Sequence, residues 1–248
     1  MNRQKKRLVF TVLMTILFPV IFYYLSPYLI IQGASQGIIA GDVLTFIGLF
    51  VSSLFFGRAW CGWLCPGGAT QELCMRVNNK AFNGKKRNLI KYLIWAPWIA
   101  IVVVLFIHAG GIKAVNPLYQ TWKGVSVQDL PSAIMFLAIA GAIATFALVA
   151  GKRAVCHSFC WIAPFMVIGT KIKSAVGYPS LHLEADKSKC LNGRQCSGKC
   201  PMSIDVAEMV QKENMTNTEC ISCGSCVDIC PKGAIKFSYT RPKKWEKP

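Results

Sequence analysis

The 248-residue chain is 53% hydrophobic and only 16% charged, yet carries a formal net charge of +17. That composition excludes an ordinary soluble domain. The placement of the charge argues against a nucleic-acid patch: Arg3, Lys5, Lys6 and Arg7, then Arg76, Lys80, Lys85, Lys86 and Arg87, then Lys152, Arg153, Lys171 and Lys173 each abut an apolar run, as the positive-inside rule requires of cytoplasmic flanks.

In chain order, residues 8–25, 38–57, 89–110 and 132–151 are each apolar over about the 20 residues that cross a hydrocarbon core as helix. The first is read as a retained anchor rather than a signal peptide, because its apolar stretch is long and no small-x-small site follows. Pro19 and Pro97 fall inside spans and predict kinks. With the basic N-terminus inside, segments 26–37 and 111–131 face out, while 58–88 and everything after 151 face the cytoplasm. Asp42 sits near the outer end of its span and is expected to face water. His108 is alone near the outer end of its span, so no histidine pair offers to hold a b-type haem within the bilayer.

A repeat links the second and fourth spans. Phe56-Gly57-Arg58-Ala59-Trp60-Cys61-Gly62-Trp63-Leu64-Cys65 echoes Gly151-Lys152-Arg153-Ala154-Val155-Cys156-His157-Ser158-Phe159-Cys160. Cysteines four apart share one face of a helix, so Cys61, Cys65, Cys156 and Cys160 are candidates to meet at the inner membrane surface and bind a metal or a further cluster; inert or disulfide-forming pairs are the alternative. Trp60 and Trp63 read as interfacial belt residues, His157 as solvated or hydrogen-bonded, Cys74 as structural, and Gly67-Gly68-Ala69-Thr70 as a turn. Residues 161–170 are too short to span and are expected at the interface.

The twelve cysteines would lie at or beyond the cytoplasmic face, where structural disulfides are rare and metal sites are expected. Cys220-Ile-Ser-Cys223-Gly-Ser-Cys226-Val-Asp-Ile-Cys230-Pro231 is the C-x2-C-x2-C-x3-C-P run of bacterial ferredoxins. Upstream, Cys190, Cys196 and Cys200-Pro201 match the first, third and fourth cysteines of such a run, with Gly193 at the second. Crossed ligation then predicts one 4Fe-4S cluster on Cys220, Cys223, Cys226 and Cys200, and a second on Cys190, Cys196 and Cys230. The second lacks a fourth thiolate. It is left open as three-iron, as four-iron with a non-cysteine or exogenous ligand, or as completed by a distant thiol such as Cys74.

At these residues the chain resembles the NapH-type membrane-bound 4Fe-4S ferredoxins, which are related to NosR-type and CcoG-type proteins. The shared features are four spans, the paired C-x3-C motifs (Cys61-Gly-Trp-Leu-Cys65-Pro66 among them) and a terminal ferredoxin-like domain. The second motif departs from the pattern, since Trp161 follows Cys160 and the proline comes only at Pro164. The resemblance implies passage of electrons between membrane quinol and redox partners.

The expected architecture is a membrane all-α four-helix bundle of two pseudo-repeated hairpins over residues 1–183, a small α+β bacterial-ferredoxin-like domain over 184–240, and a basic tail over 241–248. The expected function is an electron relay in the cytoplasmic membrane, with both termini inside, serving an oxidoreductase system between a quinone pool or membrane partner and a redox partner protein. Two alternatives stand beside it: a copper-type metal-ion reductase working on the membrane Cys-x3-Cys thiols, and a redox-sensing or anchoring subunit without turnover. No nucleic-acid partner is expected.

Overall fold

The structure, a computed structural model, describes residues 2–84 and 87–241. Lys85 and Lys86 of the basic loop and residues 242–248 of the expected tail lie outside the described residues.

Helix α1 (Arg3–Ile16) opens the chain and stops short of the expected 8–25 span. Pro19 offers no N–H to the Thr15 carbonyl, and the chain proceeds as the short α2 (Phe18–Ile21) and a 3-10 turn at Tyr23–Leu25. Ser26 caps α3 (Pro27–Gln36) by accepting from Leu29 N. Strand β1 (Ile38–Ala40) then leads into α4 (Gly41–Phe56), so the second expected span is a strand followed by a 16-residue helix, only about 24 Å long at 1.5 Å per residue. The short α5 (Ala59–Trp63) and α6 (Pro66–Cys74) carry the chain to α7 (Ile90–His108), which continues unbroken through Pro97. Strand β2 (Ala114–Asn116) pairs with β1 in parallel. Asp129 closes a capping box on α8 (Leu130–Ala150), and α9 (Ala154–Ser158) and α10 (Ile162–Val176) complete the apolar part.

Two elements satisfy the length and apolarity of a spanning helix: Arg87–His108, with mean hydropathy 2.2, and Leu130–Ala150, with mean hydropathy 2.5. Their apolar side chains point outward, Ile107 at 72% and Val149 at 75% exposure. Such surfaces are stable in hydrocarbon, not in water. Both elements are among the four expected spans, and Gly41–Phe56 is a shorter apolar helix. In the segment 161–170, Ala163, Met166 and Val167 have no exposed surface, and α10 is packed along α4. Gly169 lets the backbones close, since a Cβ there would overlap the Ser53 side chain. Asp42 is not water-facing. It is 2% exposed, with Oδ1 accepting from Val43 N at 2.7 Å.

The C-terminal part is built between two antiparallel strands, β3 (Ser180–Ala185) and β4 (Ile235–Thr240), registered from Ser180 opposite Thr240 to Ala185 opposite Ile235. Between them lie three short helices: α11 (Gln195–Gly198), α12 (Val206–Gln211) and α13 (Ser225–Ile229).

This unit is docked onto the apolar part by contacts that sequence spacing does not reveal. Glu219 accepts from Arg58 Nη1 and from Lys91 Nζ, each at 2.6 Å. Both cations are essentially fully buried. Trp63 Nε1 donates to Ser222 O at 3.1 Å, Lys152 Nζ to Gly198 O at 2.7 Å, and Gln4 Nε2 to Cys223 O at 3.2 Å. Trp63 is therefore an anchor for the Cys220 loop, not merely a belt residue. Several cations that read as lipid flanks are interior instead: Arg7 and Arg153 converge on Glu72, and Lys173 is buried against Leu181 O. Gly62 sits at the tightest point, because a Cβ there would overlap Ile221 O and lie 3.5 Å from Cys223 N.

Replacing Glu219 with Gln leaves two buried cations short of an anion and is expected to destabilise the folded protein by about 3–5 kcal/mol. Gly62→Ala is expected to cost about 1–3 kcal/mol by overpacking. Both variants should show a lower thermal midpoint in detergent and faster proteolytic release of the C-terminal unit; wild-type behaviour in both would contradict this docking.

Candidate metal centres

The two Cys-x3-Cys pairs are built alike. A long apolar helix ends at a glycine with positive φ, Gly57 (φ 60°) after α4 and Gly151 (φ 106°) after α8. A five-residue helix follows, with a cysteine at its third position: Cys61 in α5 and Cys156 in α9. The second cysteine of each pair lies beyond that helix. Cys65 is the N-cap of α6, its Sγ accepting from Gly68 N at 3.4 Å, and Cys160 precedes α10. The pairs thus straddle a helix break rather than sharing one helical face. Pro66 at the first position of α6 favours that break, since its fixed φ starts a helix and it needs no N–H there.

The four thiols come together. Burial raises the Cys65 thiol well above the ordinary range, and Cys61, Cys156 and Cys160 raise it further. Burial pushes Cys160 up to about 12, with Cys156 and Cys61 adding to the rise. Gln71, 1% exposed, donates Nε2–H to Cys156 Sγ at 3.2 Å while its Oε1 accepts from Val155 N at 3.0 Å. Met166 Sδ lies 3.3 Å from Cys61 Sγ. A buried thiol set of this kind gives up its protons to a bound cation. No three His, Cys, Asp or Glu side chains among the described residues are grouped so as to hold a single metal ion.

Cys200, Cys220, Cys223 and Cys226 line one cavity, walled on its other sides by Leu183, Met202, Met215 and Ile221. Burial pushes Cys220 up to about 12, and Cys223 and Cys200 contribute. Burial also drives Cys226 upward, with Cys220, Cys223 and Cys200 as its charged neighbours. Gly224 (φ 75°) turns the loop, and its backbone lies against the Phe237 ring. The four cysteines grouped by crossed ligation are thus neighbours around one apolar cavity.

Cys190 and Cys196 interact, the Cys190 thiol raising that of Cys196, whose rise comes first from burial. Cys230 ends α13, which packs on α11, the helix of Cys196; its Sγ accepts from Ala234 N at 3.3 Å. Gly193 has open space where a Cβ would stand, and its φ is outside the left-handed region. Neither sterics nor backbone requires glycine there. Cys74 closes α6, and its thiol is raised by burial with no other thiol contributing, so it stands apart from all three groups.

His157 is 3% exposed, with Nδ1 2.7 Å from Asn88 Oδ1 and its ring stacked on Phe82 at 5.4 Å. Burial holds it down at about 4. It is hydrogen-bonded but not solvated. Residues that cysteine counting missed include Gln71, Glu72 and Glu219; the arginine three residues before each membrane pair, by contrast, was visible in the repeat.

Comparison with known proteins agrees with this division. A family described as a 4Fe-4S binding domain matches twice, at residues 43–87 and 132–179, once on each repeat. A 4Fe-4S dicluster domain matches residues 182–231. An uncharacterized protein of Methanocaldococcus jannaschii is 28% identical, covering 88% of this chain and 82% of its own length. The putative electron transport protein YccM of Escherichia coli is 25% identical over 87% of this chain and 60% of its own. The ferredoxin-type protein NapH of Haemophilus influenzae is 24% identical over 79% of this chain and 69% of its own. No solved structure matches significantly. With a cysteine-lined cavity, outward-facing apolar helices and these relatives in agreement, the chain is built of 4Fe-4S binding domains and is similar to the NapH-type membrane-bound 4Fe-4S ferredoxins.

Proposed function

We propose that the protein relays electrons along three iron–sulfur clusters at the cytoplasmic face of the inner membrane, between a quinone pool or membrane partner and a soluble redox partner. The observation that carries this reading is the backbone contact of Gly62 with Ile221. Gly62 adjoins Cys61, and Ile221 lies between Cys220 and Cys223, so the membrane thiols and the ferredoxin-type thiols are held one loop apart. The YccM and NapH names, electron transport and ferredoxin-type, point the same way.

In this reading Cys220, Cys223, Cys226 and Cys200 hold one 4Fe-4S cluster, and Cys61, Cys65, Cys156 and Cys160 hold another at the membrane surface. Cys190, Cys196 and Cys230 hold the third, as a three-iron cluster or with a non-thiolate fourth ligand. A bound cluster supplies reversible one-electron transfer. The protein's own residues keep water from the thiols, through Met166, Met202 and Ile221, all at or below 2% exposure. Those residues also fix the spacing of the thiol sets. The half-buried Cys190 and Cys196, beside the 66% exposed Leu191, mark the end where a soluble partner exchanges electrons.

Redox-titrated EPR of the purified membrane protein tests the reading. Three sets of signals are expected, with reduction of at least one by a quinol analogue; failure of quinol to reduce any cluster would remove the quinone pool from the scheme. Cys220→Ser should abolish one four-iron signal. Gly193→Cys is expected to supply the missing thiolate and convert the third cluster's signature to that of a four-cysteine cubane, without loss of stability because the position is open; an unchanged spectrum would mean the site is already completed by another ligand.

A further inference from the structure

Arg58 and Arg153 occupy the same place in the two repeats, three residues before the first cysteine of each pair. Both are 1% exposed. Each is tied to one glutamate through a terminal nitrogen: Arg58 Nη1 to Glu219 at 2.6 Å, and Arg153 Nη2 to Glu72 at 2.7 Å. Arg153 Nη1 also donates to the carbonyl of Cys61 at 2.7 Å. The Arg153 Nε–H is buried with no acceptor among the described residues, and the Arg58 guanidinium lies within hydrogen-bond reach of the Cys61 thiol. Both guanidiniums sit in the field of the membrane thiols, Arg58 in that of Cys61 and Cys156, Arg153 in that of Cys156 and Cys65. An unpaired donor on a buried cation is a costly arrangement for a residue whose only task is packing.

We infer that Arg58 and Arg153, assisted by the Gln71 donor on Cys156 Sγ, set the reduction potential of the cluster held by Cys61, Cys65, Cys156 and Cys160. The inference rests on the reading above that these thiols carry a cluster. A cluster held by these four thiols would gain one negative charge on accepting one electron, and a cluster held by Cys200, Cys220, Cys223 and Cys226, as the donor, would be oxidised by that electron. Two fixed cations and an N–H···S hydrogen bond stabilise the reduced form more than the oxidised form, and so raise the potential. Arginine stays protonated throughout, so this contribution does not titrate. The two arginines are positioning residues that act through charge rather than as ligands.

Redox-titrated EPR of full-length variants distinguishes this from a structural role. Arg153→Gln is expected to cut the reduced-to-oxidised ratio of the membrane cluster about tenfold at fixed potential, about 59 mV downward for a one-electron couple. Glu72→Gln removes the opposing charge and is expected to shift the same signal upward, while Arg153→Lys keeps the wild-type direction and Gln71→Leu shifts it down. Opposite signs from the two halves of one ion pair cannot arise from loosened packing. Should Arg153→Gln not fold, Glu72→Gln and Gln71→Leu carry the test. Shifts of the same sign, or none, with the membrane signal intact would overturn the inference. If Cys61→Ser leaves every signal of the wild type in place, the membrane cluster itself is absent, and both readings fail together.

Discussion

Four thiols can share a buried site only if something compensates the charge they acquire on losing their protons. Here that compensation is built into the chain: Arg58, Arg153 and Lys91 are interior cations gathered where the apolar helices meet the C-terminal unit, and each is paired with Glu219 or Glu72. Much of what distinguishes this fold follows from that junction. The cations bind the two parts together, they lie beside the membrane thiols, and they leave Gly62 and Ile221 in backbone contact. A buried ion pair is weak evidence for net stability against an apolar alternative; its place beside two sets of thiols gives these pairs an electrostatic use as well.

The rest of the architecture serves to hold this junction at a hydrocarbon boundary. Helices α7 and α8 turn apolar side chains outward and contribute few buried residues, whereas α4 and α10 pack closely on each other and present their ends to the cysteine loops. Elements exposed to lipid and elements that position the site are therefore largely different. The doubled match to one 4Fe-4S family falls on the two copies of the repeat, each of which carries one cysteine pair and one arginine.

That Cys200 would meet Cys220, Cys223 and Cys226 around one cavity was legible from spacing, because short spacers restrict which sulfurs can converge. The repeat was legible as well, down to the arginine ahead of each pair. Other features depended on contacts between distant segments. The membrane reading of the charge placed Arg7, Lys152, Arg153 and Lys173 at lipid flanks, but a basic residue beside an apolar run looks the same whether it meets lipid or a buried glutamate. Asp42 looked water-facing because its depth in the span was visible and its neighbours were not. The helix expected over 8–25 failed at Pro19, and the strand at Ile38–Ala40 formed because β2 arrives from more than seventy residues away to pair with it. Trp63 and Gly62 acquired roles only from Ser222 and Ile221, about 160 positions downstream.

The central claim is that the membrane thiols and the ferredoxin-type thiols hold clusters at close quarters. Fully reduced protein, examined by EPR at low temperature, tests it most directly. Magnetically coupled, broadened signals that sharpen to isolated ones when Cys61 is replaced by serine are the predicted result. A reduced spectrum equal to the simple sum of independent clusters, unaltered in linewidth by that replacement, would contradict the account.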